Sequence, residues 1–484
     1  MILKKLLHKI DVKRITGTLE NDIQNFTSDS RVVAEGDLFV AVKGVNSDGH
    51  NFIIQAIQSG AKVIVCESEF QPENNTVTVI QVSNSATALA EIASNFYNRP
   101  AENITIIGIT GTNGKTTTAT LLYNLFSKLG FACGLISTVK VMINGNEFPA
   151  THTTPDPKSL HSLFAQMVNA GCSYCFMEVS SHALDQERTF GIPFKIAVFT
   201  NLTHDHLDYH KTFPEYLKAK QKLFNQLDNQ AIAILNADDV NGRIMAQNFS
   251  GQKVYYSLKK DTNVKAKILE NSLFGLQLNI GGEEVWFNLT GTFNAYNILA
   301  VYAVAINLGL PSKEILVALS KTEGATGRFE AFRFEGGITV IIDYAHTPDA
   351  LVNVLKTLRS LTQGNIIAIV GCGGDRDREK RPVMARIAVE YASIVIFTSD
   401  NPRNEEPSAI LMEMEIGVPA QQRKKYLVVE NRKEAIAVGA RLVHEGDVLL
   451  VAGKGHEEYQ EIKGIRYPFS DREEVFKNFE KQRN

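Results

Sequence analysis

The feature that most restricts the fold of this chain is the run from Ile104 to Thr117, ITIIGITGTNGKTT. An apolar strand-like stretch ends in a glycine turn, and a helix start follows at once. Glycines at 111 and 114 let successive backbone N–H groups point inward, and the helix N-terminus adds partial positive charge, so the turn is built to hold an anion. Gly111, Thr112, Asn113, Gly114, Lys115, Thr116 and Thr117 form the candidate triphosphate site. Lys115 reaches the β- and γ-phosphates, and the Thr116 hydroxyl suits Mg²⁺. The strict GxxxxGK[ST] pattern is not met, because position 109 is Ile. A plain helix-capping turn accounts poorly for strand before, helix after and Lys followed by three threonines. A regulatory GTPase is the competing reading, but the chain has no Asn-Lys-x-Asp guanine motif.

Around this loop the chain divides in three, as its 484 residues require, since single cores stop growing near about 250–300 residues. Residues 1–100 mix short strand-like runs (Gly36 to Val42, Ala61 to Cys66, Val77 to Val82) with two helical stretches, and end in the breaker Asn98-Arg99-Pro100. Residues 101–327 alternate apolar strand and helix through CFMEVSS, IAVFTNLT and AIAILNADD, which predicts a parallel sheet flanked by helices. Residues 328–484 carry four apolar runs, ITVIIDYAHTP, NIIAIVGCGGDRD, SIVIFTSDNPR and DVLLVAGKGHE, each ending in polar or Gly-rich residues. Ligands of open α/β sheets sit beyond the carboxyl ends of the strands, so this is a doubly wound domain with its own site. The predicted class is α/β: a small N-terminal α/β domain, a central P-loop ATP-binding parallel-sheet domain and a C-terminal Rossmann-like domain.

Composition narrows the setting. With 44% hydrophobic and 21% charged residues the chain is ordinarily globular, and a net charge of -3 gives no general attraction to nucleic acid or anionic membranes. The N-terminal MILKKLLHKI lacks the continuous apolar stretch of a signal peptide, and no run is long enough to cross a bilayer. Five scattered cysteines suit a reducing cytoplasm. Cys172 and Cys175 form one CxxC without a second pair to complete a zinc site, so they read as buried strand cysteines.

Read in order, GTNGKTTT, EVSSHAL, NLTHDHLDYH, DYAHTPDAL, GCGGDRD, DNPR and GKGHE resemble the Mur ligases. The resemblance runs from Asp29 to Gly453 and beyond, and is strongest to the tripeptide-forming members that act on UDP-MurNAc-L-Ala-D-Glu. It implies that ATP phosphorylates a substrate carboxylate and that an amine attacks the acyl phosphate through a tetrahedral intermediate. Positioning and charge neutralisation carry such chemistry. The implied catalytic residues are Lys115, Lys220 and His206. The implied Mg²⁺ ligands are Thr116, Glu178, His206 and Lys220, the last as N6-carboxylysine, a modification that turns a cation into a hard oxygen ligand. A buried, unpaired carboxylate such as Glu178 is costly without a partner of this kind. HxHxD within THDHLDYH also resembles binuclear zinc hydrolases, but Tyr209 stands where their next His would be.

The resemblance further implies adenine and ribose contacts from Asn294, Asn297, Arg328 and Asp343. The UDP-sugar peptide falls to Ser28, Ser30, His152, Thr153, Thr154, Ser180, Gln186 and Arg188; His152 replaces the Asn of some members. The incoming amino acid falls to Arg376, Asp400, Asn401, Pro402, Arg403, Gly453 and Glu457, with Arg403 gripping the second carboxylate of meso-diaminopimelate and Glu457 facing its distal ammonium. A monomer acting on those two small molecules is expected. A lysine-adding relative or a folylpolyglutamate synthetase is the alternative on the same scaffold.

Overall fold

The structure is a computed structural model and describes residues 1–44, 47–72 and 76–481. Three sheets organise it. The first has the strand order Val12–Thr16, Thr78–Val82, Val63–Cys66, Leu38–Val40, Phe26–Thr27, parallel except for the antiparallel first strand. Its core gathers Phe26, Leu38, Val63 and Ile80 under the helix Ser85–Phe96. Asn84 opens that helix by accepting from the N–H groups of Ala86 and Thr87.

The central sheet has eleven strands, with Thr105–Thr110 between Phe194–Phe199 and Tyr174–Glu178. Strands from Cys133–Ile136 across to Val264–Ser272 run parallel, as the unbroken apolar runs predict. Both outer ends carry antiparallel strands that sequence reading did not anticipate: Lys140–Ile143 with Asn146–Pro149, and Gly275–Ile280 with Glu283–Phe287. The parallel strands are buried on two faces. Ile107 and Ile109 pack with the helices Lys115–Lys128 and Thr292–Asn307, whereas Ile106 packs with Phe164 and Leu223 on the other side. Each such fully buried side chain contributes about 1.5–3 kcal/mol by leaving water.

Register places the chemistry. Ile109 lies opposite Glu178 and Thr110 opposite Phe199, so the phosphate turn, the end of CFMEV and the start of NLTHDH emerge side by side. In the third sheet the order is Glu330–Arg333, Thr339–Asp343, Val448–Ala452, Ile366–Cys372, Ile394–Ser399, Tyr426–Val428, with only the first strand antiparallel. Asp343 pairs with Ala452 and Cys372 with Ser399, so all four polar run-ends open on one edge, as expected of a doubly wound sheet. A small hairpin, Tyr459–Ile462 with Ile465–Pro468, follows the GKGHE turn. The cysteines are all buried and free, Cys175 within its strand and Cys172 just before it.

Candidate active site

Two glycines shape the phosphate turn as the sequence requires. Gly111 has φ +147°, and a Cβ there would overlap the Thr200 hydroxyl; at Gly114, φ +88°, it would lie 2.5 Å from Asn297 Oδ1. The turn is then pinned from the neighbouring strand. Asn201 accepts from the Asn113 backbone N–H at 2.9 Å and donates to the Asn113 carbonyl at 3.0 Å, while Thr200 donates to that carbonyl at 2.7 Å. Thr200 and Asn201 were missed in the sequence because they read only as the polar end of IAVFTNLT.

Lys115 and Lys220 meet at this turn. Each donates to the carbonyl oxygen of Gly111 at 2.8 Å, and Lys115 also donates to Thr112 O. Lys220 is fully buried in the helix Phe213–Asn225, its amine 4.6 Å from the Tyr216 ring. Burial, then the neighbouring Lys115, pushes the Lys220 amine well below its ordinary pKa, with Asp205 opposing. Burial also lowers Lys115, against the pull of Glu178 and Asp205. The two amines share one acceptor, and among the described residues neither is hydrogen-bonded to a carboxylate.

Glu178 is fully buried but not unpaired: its carboxylate accepts from Thr138 N at 2.7 Å and Thr138 Oγ1 at 3.2 Å. His206 begins the short helix Leu207–His210 with φ 54°, its side chain 42% exposed and 3.4 Å from Asp205 Oδ2. Partial burial in the cleft holds its imidazole down to about 4 despite Asp205. Asp205 itself, which burial would raise, is held below its ordinary range by His206, His346 and Lys115. Among the described residues no three His, Cys, Asp or Glu side chains cluster closely enough to hold a metal. The Asp208 side chain of the HxHxD motif lies outside the described residues. Mg²⁺ keeps several waters and needs only one or two protein oxygens plus substrate phosphates, so Thr116 and Glu178 are of the right donor type, whereas Lys220 would join them only once carboxylated.

Asn297 accepts from Thr118 Oγ1 at 3.4 Å and donates to Asn294, so both asparagines face the phosphate-turn helix. Arg328 donates to Thr116 Oγ1 at 3.3 Å and stacks 4.3 Å over Tyr344, while its buried Nε lacks a partner among the described residues. A buried guanidinium N–H without an acceptor suits an anionic oxygen. Asp343 uses both carboxylate oxygens on backbone N–H groups, Phe329 at 2.6 Å and Ala345 at 2.7 Å, bracing the turn after Arg328. Burial raises its pKa, with Arg328 opposing.

Thr153, Thr154, Ser180, Gln186 and Arg188 form one patch beside Glu178. Thr138 donates to Thr153 Oγ1, Thr154 donates to the Glu178 carbonyl and accepts from Ser180 N, and Arg188 reaches Thr154 O and forks onto Gln186 Oε1. Ser28 and Ser30 lie on the first sheet's loop, with Ser30 bonded to Gln55 and Ser28 exposed. Lys158, at the start of the helix Pro157–Asn169, ties that loop in by donating to Asn25 Oδ1 and Phe26 O. His152 is exposed.

At the third sheet's edge, Asn401 donates to Glu457 Oε2 at 2.8 Å and accepts from Lys454 Nζ at 2.9 Å. Lys454, absent from the expected set, also pairs with Glu457 at 3.0 Å and Asp400 at 3.8 Å. A Cβ at Gly453 would lie 2.5 Å from Asp400 Oδ2. Arg403 follows Pro402 with φ 51° and is held to the hairpin through Glu461 O and Lys463 N. Its guanidinium donates to Gly374 O at 2.7 Å and stands 3.7 Å from Glu461, so it has a carboxylate partner that sequence reading did not foresee. Arg376 is exposed and donates to Asp375 O.

A phosphate turn in one parallel sheet facing a polar crevice in a second is the layout of an enzyme that activates with a nucleotide and couples to a second substrate. Family models agree along most of the chain: "Mur ligase family, catalytic domain" matches residues 22–97, "Mur ligase middle domain" 109–305 and "Mur ligase, glutamate ligase domain" 327–455. A protein of Cytophaga hutchinsonii named UDP-N-acetylmuramoyl-L-alanyl-D-glutamate–2,6-diaminopimelate ligase is 53% identical, with 98% of each chain covered. One of Parabacteroides distasonis with the same name is 48% identical over 100% of both. A solved structure of a ligase of that name has TM-score 0.69 at 32% identity, covering 100% of this chain and 99% of its own. The chain belongs to the Mur ligase family. It is an ATP-dependent ligase of three α/β domains. Among the described residues no helix is long and apolar enough to cross a membrane.

Proposed function

We propose that this ligase adds meso-diaminopimelate to UDP-MurNAc-L-Ala-D-Glu in peptidoglycan precursor synthesis, rather than lysine to the same acceptor or glutamate to a folate. Likeness at 53% and 48% identity over nearly the whole chain to ligases named for 2,6-diaminopimelate carries the reading, and Lys115 at the phosphate turn supplies a cation for the transferring group. We assign residues 1–100 to the UDP end, 101–327 to ATP and 328–484 to the amino acid. The substrate carboxylate attacks the γ-phosphorus and ADP leaves; the neutral amine nitrogen then attacks the acyl carbon, and phosphate leaves as the nitrogen gives up one proton to solvent or to the departing phosphate. Lys115 and the N-terminus of the helix Lys115–Lys128 neutralise charge on the transferring phosphoryl group, and Arg328 supplies a further cation. Thr153, Thr154, Ser180, Gln186 and Arg188 orient the dipeptide end so that its carboxylate faces the phosphate turn.

Thr116, Glu178, His206 and a carboxylated Lys220 would hold Mg²⁺, which supplies charge stabilisation on phosphate oxygens. The depressed pKa of Lys220 favours the neutral amine that carboxylation requires. The five unpaired thiols fit a cytoplasmic enzyme, and we take it to act as a monomer. The deciding assay is ATP-dependent phosphate release. It is expected only when both UDP-MurNAc-L-Ala-D-Glu and meso-diaminopimelate are present; release without them, or full replacement of ATP by GTP, rules the proposal out.

A further inference from the structure

Asp349 is the second residue of the helix Pro348–Leu361 of the C-terminal domain, two positions after Thr347, whose side chain caps it. An acidic residue in a first helical turn is ordinarily explained by the helix dipole. Its contacts here point elsewhere. Oδ2 of Asp349 accepts from Asn113 Nδ2 at 2.8 Å and from Thr203 Oγ1 at 2.9 Å, partners 236 and 146 positions away in the central domain. A third donor, Asn353 Nδ2 at 3.2 Å, comes from its own helix.

Both distant partners belong to the phosphate turn's supports. Asn113 is the turn residue held by Asn201, and Thr203 N donates to Thr112 Oγ1 at 3.0 Å while Thr112 Oγ1 reaches Thr203 O at 3.3 Å. One carboxylate of the C-terminal domain therefore fastens two points of the loop that would carry the triphosphate. We infer that Asp349 is a positioning residue: by bonding Asn113 and Thr203 it fixes the phosphate turn when the C-terminal domain is docked, and so couples docking to the turn's readiness for phosphoryl transfer. This rests on the ATP-ligase reading for its consequence in turnover, but not for the contact itself.

The contact needs an oxygen acceptor at one position, not a charge. Asp349→Asn can present its amide oxygen there, whereas Asp349→Ala cannot. Losing two hydrogen bonds to a carboxylate is expected to cost Asp349→Ala about tenfold or more in kcat per folded molecule, and to speed amide exchange over residues 111–114 by a similar factor. Asp349→Asn is expected to stay within about threefold of the native protein in both. Exchange is measured on the protein without nucleotide, so it tests the contact even if the ligase assay gives no turnover, a result that would count only against the proposed function. Unchanged exchange over 111–114 in Asp349→Ala overturns the inference. So does equal loss in Asp349→Asn, which would mean the helix-start charge and not the bonds is what matters.

Discussion

Lys454 Nζ lies 3.0 Å from Glu457 Oε2, and the lysine side chain is completely buried. Three residues apart in GKGHE, the two hold each other over the crevice where the amino acid is proposed to bind. Asp400 stands 3.8 Å from the same amine; burial would raise its pKa, but Lys454 and then Arg432 hold it below the ordinary range. Removing one partner of a buried ion pair leaves the other charge uncompensated, at about 3–5 kcal/mol. Lys454→Met is expected to lower unfolding stability on that scale, read as a fall in denaturation midpoint. Its surviving folded fraction should show a raised KM for the amino acid with an unaltered KM for ATP. A native midpoint would mean that Glu457 and Asp400 do not need this cation.

Lys220→Ala should be nearly inactive, since it removes both the donor to Gly111 O and the proposed oxygen ligand. A short carboxylate such as formate, added at millimolar levels, is expected to restore part of the rate by entering the space of the missing group. No rescue, together with Mg²⁺ dependence equal to that of the native enzyme, would leave Lys220 a purely structural residue.

His161 offers a pH-dependent test away from the catalytic centre. It is 1% exposed, its ring nitrogens have no hydrogen-bond partner among the described residues, and burial, then Arg99, pushes its pKa down to about 4. The folded state thus resists protonation more than the unfolded state, whose histidine titrates near about 6.5. The contribution to stability is complete above that value and is lost as pH falls from there toward 4, on the order of 3 kcal/mol in total. His161→Phe, which keeps the edge-on packing against Phe164, should flatten this part of the stability–pH curve. Identical curves for the two proteins would assign the acid sensitivity to other groups.

Much of this architecture was legible because it is local. Strand, glycine turn and helix at residues 104–117 lie within one stretch, and the four apolar runs of the C-terminal domain each announce a polar end. The antiparallel edge strands were not, because Lys140–Ile143 and Asn146–Pro149 are short and the second is fully exposed, leaving no apolar alternation to read. Partners distant in sequence were also hidden. Nothing near Glu178 marks Thr138 as its donor 40 positions away, nor does DNPR suggest that Glu461 will lie beside Arg403. Lys454 carries no signal in GKGHE, because only the fold brings Asp400 and Asn401 against it.

Arg403 is the residue proposed to select the amino acid. meso-Diaminopimelate is lysine with an additional carboxylate at its far end, and a planar guanidinium grips such a group through two parallel bonds. Were Arg403 otherwise unpaired, lysine would leave a polar site without its partner, and discrimination of about 10⁴ or more would follow. Glu461 at 3.7 Å changes that expectation, since it offers Arg403 a carboxylate even when lysine is bound. The preference for meso-diaminopimelate over L-lysine is therefore expected to be about 10²–10³ in kcat/KM, below the limit for an unpaired site. Arg403→Ala should remove most of it by raising KM for meso-diaminopimelate while leaving the poor use of lysine almost unchanged. Glu461→Gln should act oppositely, because Arg403 then depends on the substrate's carboxylate alone, and the ratio rises. Product formed from each amino acid at matched concentrations measures all three proteins. Equal use of both by the native enzyme, or an Arg403→Ala variant that keeps the native ratio, would place specificity elsewhere in the crevice.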